Sequence, residues 1–246
     1  MPKTYVIGDI HGGLLALKDL LQKLDLRDED QLIFLGDYVD GWSDSAHVVS
    51  YLIQIKEELN CRFIRGNHDD LVLQWLTTDF NNEKWLQHGG ESTKKTYENL
   101  DQTIIDLHIN FLENLEDYII DEQNRLFLHA GFSNMSGPKY EYHPETVYWD
   151  RTLWETALSL DPKIKKEDKI YPKRLKLFKE IYIGHTPVTR LGKTEPINAV
   201  NIWNVDTGAA FKGPLTALEI NTKAFYQSKP VHEYYPDEIG RNFSKN

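Results

Sequence analysis

Residues with metal-ligating side chains occur in short polar clusters, each of which follows an apolar run. The clusters read GDIHG, GDYVDG, RGNHDD, LHAG and IGHTP. The candidate ligands within them are Asp9, His11, Asp37, Asn67, His129 and His185. Buried carboxylates and imidazoles are costly unless they are paired or bind a metal. Because folding needs do not explain five such clusters, they predict one divalent-metal centre assembled from five loops.

The spacing of the first two clusters suits a shared ion. Asp9 and His11 are at positions i and i+2, so their side chains point to the same side of an extended segment. Asp37 ends the second apolar run in the same way, and adjacent parallel strands would bring it beside Asp9. Two carboxylates held that close repel each other, and a cation resolves the repulsion. The alternative is that Asp9 caps the helix that follows it.

The third cluster supplies an amide and an imidazole. Asn67 and His68 are adjacent, so we do not expect both to bind the same ion. We assign Asn67 as a ligand and His68 as a proton donor that Asp40 orients. A carboxylate on one ring nitrogen fixes an imidazole and raises its basicity. A simple turn role for Asp40 is the alternative.

The number of candidate ligands predicts two ions. They are too many for one catalytic ion that keeps open positions, and they suit two ions about 3.5–4 Å apart. Carboxylate, amide and imidazole ligands without thiolate favour Mn, Fe or Zn and do not choose among the three. Mn is the ion that we expect. The remaining histidines lie in helical or loop contexts and are assigned structural roles: His47, His88, His108, His143 and His232.

Composition narrows the class of protein. The 246 residues suffice for one α/β domain, and the formal net charge of −10 argues against a nucleic-acid or anionic-membrane binder. The single cysteine, Cys61, excludes an intrachain disulfide and thiolate-rich metal sites. No apolar run approaches the ~20 residues of a membrane span, and the N-terminus lacks the apolar region of a signal peptide. We therefore expect a cytoplasmic protein with neither nucleic-acid nor membrane partners.

The strands and helices that position these clusters are predicted from the spacing of the apolar residues. Runs rich in Ile, Val and Phe precede the first three clusters, and such runs suit inner strands of a sheet covered by helices. Residues 14–24 and 43–59 carry apolar side chains at helical spacing. The β-α-β-α-β order over the first 70 residues predicts a parallel sheet with right-handed crossovers.

The rest of the chain predicts helices and then more strands. Residues 70–117 are expected to be mostly helical, and the later apolar runs suit a second, more antiparallel sheet. These runs are DYIID, RLFLHAG, EIYIGHTP, AVNIWNVDTG, LTALEI and AFYQS. We expect a single domain over residues 1–230 and a peripheral C-terminal tail over residues 231–246.

The five clusters, in this order, resemble those of the calcineurin-like metallophosphoesterases. The resemblance is closest to bacterial serine/threonine phosphatases of the phosphoprotein phosphatase family. It covers roughly residues 5–210, with further family-like stretches at 85–97 and 204–218. It implies an α/β fold, the metallophosphoesterase-type β-sandwich flanked by helices in four αββα layers. It also implies a metal-dependent phosphoric ester hydrolase.

The resemblance further implies a role for each candidate residue. The first ion would take Asp9 and His11, the second Asn67, His129 and His185, and Asp37 would bridge the two. His68, paired with Asp40, would be the general acid. Arg65 and Arg151 would bind the substrate phosphate, although a surface ion pair is an equal alternative for Arg151.

One motif departs from the family pattern. The family reads GDxVDRG, with an arginine that contacts phosphate, whereas Asp40 is followed here by Gly41 and Trp42. One phosphate contact is therefore missing, and Arg151 or a nearby lysine is expected to compensate. Trp42 is expected either to offer a stacking surface to a base or to pack at the rim of the site.

The expected reaction is phosphomonoester hydrolysis by direct attack of a hydroxide shared by two metals. A serine/threonine protein phosphatase is the favoured function, so the partner is a phosphorylated protein or a small phosphoester. A symmetrical dinucleoside polyphosphate hydrolase is the alternative, because it uses nearly the same motifs. A catalytically silent binding module is the third. The sequence leaves the natural substrate, the metal and the oligomeric state open.

Overall fold

The computed structural model describes residues 2–78 and 80–242. Met1 and residues 243–246, which belong to the predicted domain and tail, lie outside the described residues. The strands are β1 Thr4–Ile7, β2 Gln31–Phe34, β3 Asn60–Phe63, β4 Tyr118–Ile120, β5 Arg125–Leu128, β6 Glu180–Ile183, β7 Ile197–Ala199, β8 Ile202–Asn204, β9 Pro214–Glu219 and β10 Phe225–Pro230. The helices are α1 Leu14–Lys23, α2 Ser45–Glu58, α3 Asn67–Thr77, α4 Glu83–Trp85, α5 Glu91–Tyr97, α6 Gln102–Glu113, α7 Thr146–Trp149 and α8 Thr152–Ser159.

The first sheet contains the predicted β-α-β-α-β unit. Its strand order is β10-β9-β1-β2-β3, and β1, β2 and β3 run parallel. Strand β9 pairs antiparallel with β1, and β10 pairs antiparallel with β9. The apolar residues of β1 and β2 are buried on both faces, as their continuous apolar sequence predicts, whereas in the edge strand β3 only Phe63 is buried.

The second sheet is less antiparallel than predicted. Its order is β4-β5-β6-β8-β7, and the central strands β5, β6 and β8 are parallel, with an antiparallel strand at each edge. The runs LTALEI and AFYQS, which we assigned to this sheet, form β9 and β10 of the first sheet. The spacing of apolar residues identifies a run as a strand. Which sheet the strand joins depends on its partner, here the open edge of β1, and local sequence carries no signal for that pairing.

The two sheets pack face to face between helical layers. Their interface is an apolar cluster that includes Val6, Ile33 and the stacked rings of Phe127 and Tyr182, whose centroids are 4.9 Å apart. Helices α1 and α2 cover the outer face of the first sheet, and α8 packs on the second. Loss of the Phe127 ring would cost about 3–5 kcal/mol. The four layers confirm the predicted αββα fold class.

The parallel strands direct their following loops to one edge of the sandwich. The first four polar clusters follow β1, β2, β3 and β5, and the fifth follows β6. In open α/β sheets, ligands bind at the carboxyl ends of the strands. None of the helices within the described residues is both long and apolar enough to span a bilayer.

The segment of residues 231–242 packs on the loop that follows β2. Tyr235 is buried and stacks on Trp42, with the ring centroids 5.4 Å apart. Its hydroxyl donates to a carboxylate oxygen of Asp44 at 2.7 Å. Trp42 is fully buried, and its Nε1–H donates to the carbonyl of Ala209 at 2.7 Å. The idea that Trp42 stacks on a substrate base is therefore wrong, and the ring instead anchors this segment.

Candidate active site

The first group of candidate ligands lies around one carboxylate oxygen of Asp37. The His11 Nε2 atom lies 3.5 Å from Asp37 Oδ2 and 3.7 Å from Asp9 Oδ2. All three residues are buried, and one ligand atom from each lies within 4.8 Å of the others. This group has the size and the donor atoms of a divalent-cation site.

The second group lies around the other oxygen of Asp37. Asp37 Oδ1 is 3.4 Å from His129 Nε2. Asn67 Oδ1 is 3.1 Å from the same nitrogen and 2.8 Å from His185 Nδ1. Asp37 therefore contributes one oxygen to each group, which is the geometry that a bridging carboxylate requires.

The hydrogen bonds of the imidazoles orient their lone pairs toward the site. His11 Nδ1 lies 2.8 Å from the carbonyl of Asp40, and His129 Nδ1 lies 2.8 Å from the carbonyl of Leu35. Because a carbonyl only accepts, each Nδ1 carries the proton and each Nε2 lone pair faces the carboxylates. Converging lone pairs and carboxylates repel one another without a cation, so these residues fit two divalent ions.

Without an ion, the electrostatics favour the metal-binding protonation state at Asp37 and His185, whereas at His129 burial is outweighed by the Asp37 charge, which raises the pKa of that imidazole to about 9. Burial alone would raise the pKa of Asp37, but the His129 and His68 imidazoles hold it well below its ordinary value. Burial and the neighbouring His129 lower the pKa of His185 well below its ordinary value. An ionised carboxylate and a neutral imidazole are the forms that bind a metal.

The loops that carry these side chains adopt a costly backbone conformation. The residues with positive φ at the site are His11 at 51°, Asp37 at 53°, Asp40 at 69° and His185 at 65°. Left-handed φ is sparsely populated for residues other than glycine and costs of order 1–3 kcal/mol each. Such strain persists only where the surrounding contacts enforce it, and it is concentrated at functional sites.

Asp69 ties the second loop to the third. Its Oδ2 atom accepts from the backbone N–H groups of Asp37 and Gly66, and its Oδ1 atom accepts from that of Tyr38, all at 2.8 Å. The two loops touch so closely that a Cβ at Gly66 would lie 2.2 Å from the Asp37 nitrogen. Burial and the Asp37 charge raise the pKa of Asp69 to about 7. The sequence analysis assigned no role to Asp69, although an acidic side chain in the first turn of α3 is a recognisable capping signal.

His68 and Asp40 form the predicted pair. His68 Nδ1 lies 2.6 Å from Asp40 Oδ2, and both side chains are buried. Asp40 also accepts from Trp85 Nε1 and Thr93 Oγ1, each at 2.6 Å. Burial and the Arg241 charge lower the pKa of His68, against the opposing Asp37 and Asp40 charges. Because Nδ1 is occupied by Asp40, Nε2 is the nitrogen left to exchange a proton with a substrate.

A cavity of about 390 Å³ opens above these residues. It is lined by candidate ligands, by His68, and by arginines from three distant segments, Arg151, Arg190 and Arg241. We call the six candidate ligands the floor of the site and these three arginines its rim. Among the described residues, no carboxylate lies within 4.0 Å of a rim arginine, whereas every other arginine has such a partner. Unpaired arginines in a protein of net charge −10 predict an anionic ligand.

Arg65 does not reach this cavity, contrary to our expectation. Its Nη2 atom donates to the carbonyl of Glu113 at 3.1 Å, and its Nε atom lies 3.7 Å from Asp117. Arg65 is absent from the described residues that line the cavity. Arg151 does line it, beside His185.

Several residues at the cavity were not predicted from the sequence. Asp206 is buried, and burial together with the Asp9 charge raises its pKa to about 8. It follows β8 in the cluster NVDTG, which has the same form as the other clusters and could have identified it. His88, assigned a structural role, also lines the cavity. Arg190 and Arg241 have no such motif.

Comparisons with known proteins agree with this geometry. Residues 2–210 match the family model of the calcineurin-like phosphoesterases. An asymmetrical bis(5'-nucleosyl)-tetraphosphatase, PrpE of Oceanobacillus iheyensis, is 28% identical over 91% of this chain and 90% of its own length. The enzyme of the same name from Bacillus anthracis is 29% identical over 93% of this chain and 96% of its own.

Solved structures show the same fold. A candidate diadenosine tetraphosphatase superposes with a TM-score of 0.61 and 19% identity, over 92% of this chain and 95% of its own. A serine/threonine phosphatase of Saccharomyces cerevisiae with similarity to human PP5 gives a TM-score of 0.54 and 16% identity, over 88% of this chain and 72% of its own.

Proposed function

Because the chain belongs to the calcineurin-like phosphoesterase family and is a metal-dependent phosphoric ester hydrolase, we propose that its substrates are dinucleoside polyphosphates. The observation that carries this proposal is the rim of unpaired arginines beside the two ligand groups. A phosphomonoester presents one phosphoryl group, whereas a polyphosphate chain presents several anionic groups in a row. Arginines from three segments match the second arrangement better.

The space around the rim also suits an extended substrate. A second cavity of about 490 Å³ shares Arg190, Arg241 and Phe211 with the first and adds Lys212. A chain of phosphates can therefore continue from the floor past two arginines to an aromatic and a basic side chain. The curated relatives bear the name of tetraphosphatases, which agrees with this substrate class.

In the proposed mechanism, the floor residues would hold two divalent ions. Such ions, when bound, supply an activated water at neutral pH and polarise phosphoryl oxygens. The rim arginines bind and orient the phosphates of the substrate. In its doubly protonated form, His68 gives the proton at its Nε2 atom to the leaving oxygen, and Asp40 holds the ring through Nδ1 and favours that form.

A serine/threonine protein phosphatase is the second candidate. The polar clusters that resemble that family all lie at this one site. The two groups of candidate ligands and the His68–Asp40 pair would serve either reaction equally well. A catalytically silent binding module is not proposed, because the family and the named relatives are enzymes.

The test compares diadenosine tetraphosphate, a phosphoserine peptide and p-nitrophenyl phosphate with Mn²⁺-loaded protein. We expect kcat/KM to be at least about tenfold higher for the dinucleotide than for the peptide, which corresponds to one charge-assisted contact. Chromatography of the products distinguishes ATP plus AMP from two molecules of ADP, and thus asymmetrical from symmetrical cleavage. A higher kcat/KM for the phosphopeptide would replace this proposal with the second candidate.

A further inference from the structure

The space beside Gly41 is occupied by the side chain of Arg241, which lies much later in the sequence. A Cβ placed on Gly41 would lie 3.4 Å from Cγ of Arg241. The aliphatic part of Arg241 therefore runs beside the position at which the family pattern has its phosphate-binding arginine. Gly41 itself has a φ of 138°, which a larger residue adopts only under strain.

The guanidinium of Arg241 lies at the edge of the floor. Its Nη1 atom is 3.4 Å from Nε2 of His11, the nitrogen whose lone pair faces the candidate metal site. Its Nε atom is buried and has no hydrogen-bond partner among the described residues. A buried donor without an acceptor costs free energy, and an anionic oxygen would satisfy it.

The surrounding contacts hold Arg241 in this place. Its backbone N–H donates to the carbonyl of Ala210 at 2.9 Å. Its guanidinium lies over the ring of Phe211, 5.7 Å from the centroid. Three residues earlier, Glu238 accepts from the backbone N–H of Ser43 at 3.0 Å, which ties this segment to the loop that carries Gly41. The side chain is thus positioned from both sides.

We propose that Arg241 binds the phosphoryl group of the substrate and takes over the role of the arginine that is replaced by Gly41. The inference rests on the proposed phosphoester hydrolysis but not on which phosphoester is the substrate. It assigns a specificity-determining contact to residues 231–242, a segment that the sequence analysis treated as peripheral.

The test measures phosphate binding as well as turnover. Wild-type protein, Arg241→Ala, Arg241→Lys and the control Lys193→Ala are loaded with Mn²⁺. Lys193 is an exposed cation, so the control removes the same charge. For each protein, we would measure bound Mn²⁺ by elemental analysis, orthophosphate affinity by calorimetry, and KM and kcat with p-nitrophenyl phosphate.

We expect Arg241→Ala to weaken orthophosphate binding by about 10-fold to 100-fold, as for loss of a hydrogen bond to a charged group. KM should rise in parallel, Mn²⁺ content should stay at the wild-type level, and Arg241→Lys should restore part of the affinity. Lys193→Ala should match wild type. A purely structural role beside Phe211 would leave orthophosphate affinity unchanged.

Unchanged orthophosphate affinity in Arg241→Ala, or a loss of Mn²⁺ from that variant, would overturn the inference. Calorimetry keeps this outcome separate from the fate of the proposed function. If wild-type protein bound orthophosphate but hydrolysed no phosphoester, the proposed function would fail while the assignment of Arg241 would still be decided.

Discussion

The floor and the rim of the site are built in opposite ways. The floor residues lie just beyond the ends of strands, and all six are buried. Backbone carbonyls hold His11 and His129 through hydrogen bonds of 2.8 Å. The rim arginines come from the start of α8, from a short 3₁₀ helix over Val188–Leu191, and from residues 231–242. Arg151 and Arg190 are exposed.

This difference separates chemistry from selectivity. Ligands must meet an ion within tenths of an ångström, so the floor is carried by rigid elements. A guanidinium attracts a phosphate over a longer distance, so the rim tolerates loop positions. We therefore expect changes in the floor to abolish turnover and changes in the rim to alter substrate affinity, and the following experiments test that division.

The substitution Asp37→Asn should have the largest effect. It removes the carboxylate that contacts both ligand groups, so both ions should be lost and kcat/KM should fall by more than about 10³-fold, beyond the effect of one lost hydrogen-bond donor. Elemental analysis and p-nitrophenyl phosphate turnover measure the two effects. Asp28→Asn, at an exposed site, is the matched control. Retention of two ions per chain would show that Asp37 is not shared.

His68→Asn should have the next largest effect and should leave the metal content unchanged. Loss of a general acid should lower kcat by about 10²-fold or more. The loss should be greater for phenyl phosphate than for p-nitrophenyl phosphate, because the poorer leaving group depends more on protonation. An equal loss for both substrates would remove His68 from proton transfer.

Arg151→Ala tests the rim alone. We expect KM for diadenosine tetraphosphate to rise by about tenfold, as for one charge-assisted hydrogen bond, with little change in kcat or in bound Mn²⁺. Steady-state kinetics at two salt concentrations measure this effect, and the variant should be less sensitive to salt than wild type. A fall in kcat with unchanged KM would show that Arg151 acts on the chemical step, as the floor residues are expected to do, and not on substrate affinity.

Trp85→Phe should have the smallest effect. It removes one of the donors to Asp40 and keeps an aromatic ring at a buried position. A hydrogen bond to a charged group contributes about 1.5–3 kcal/mol. Because Trp85 acts on His68 only through Asp40, which keeps its bond from Thr93, we expect part of this to reach the barrier and kcat to fall by about fivefold. The ratio of the phenyl to the p-nitrophenyl phosphate rate should shift in the same direction as in His68→Asn. A change in KM alone would indicate that Trp85 contacts substrate instead.

The sequence predicted the floor better than the rim for a physical reason. Strand runs followed by Asp, Asn or His are local patterns, and parallel strands bring their ends to one edge of a sheet. Asp9 and Asp37 could therefore be placed together without knowing any long-range contact.

The rim depends on contacts that local sequence does not encode. Arg241 reaches the site because residues 231–242 pack on the loop after β2, and Arg190 because a short helix follows β6. Arg65, in contrast, was expected at the site and does not reach it. It precedes Gly66 directly, yet its side chain pairs with Asp117. Nearness in sequence to a ligand cluster thus says little about which way an arginine points.

The left-handed backbone at His11, Asp37, Asp40 and His185 implies a trade-off between thermal stability and activity. Glycine adopts this conformation without steric strain, so replacement of these residues by glycine would relax the backbone of the loops while it removed the side chains that act. Selection of variants for thermal stability alone would therefore favour proteins that are more stable but inactive. Only a screen that also scores turnover would keep the four residues in place.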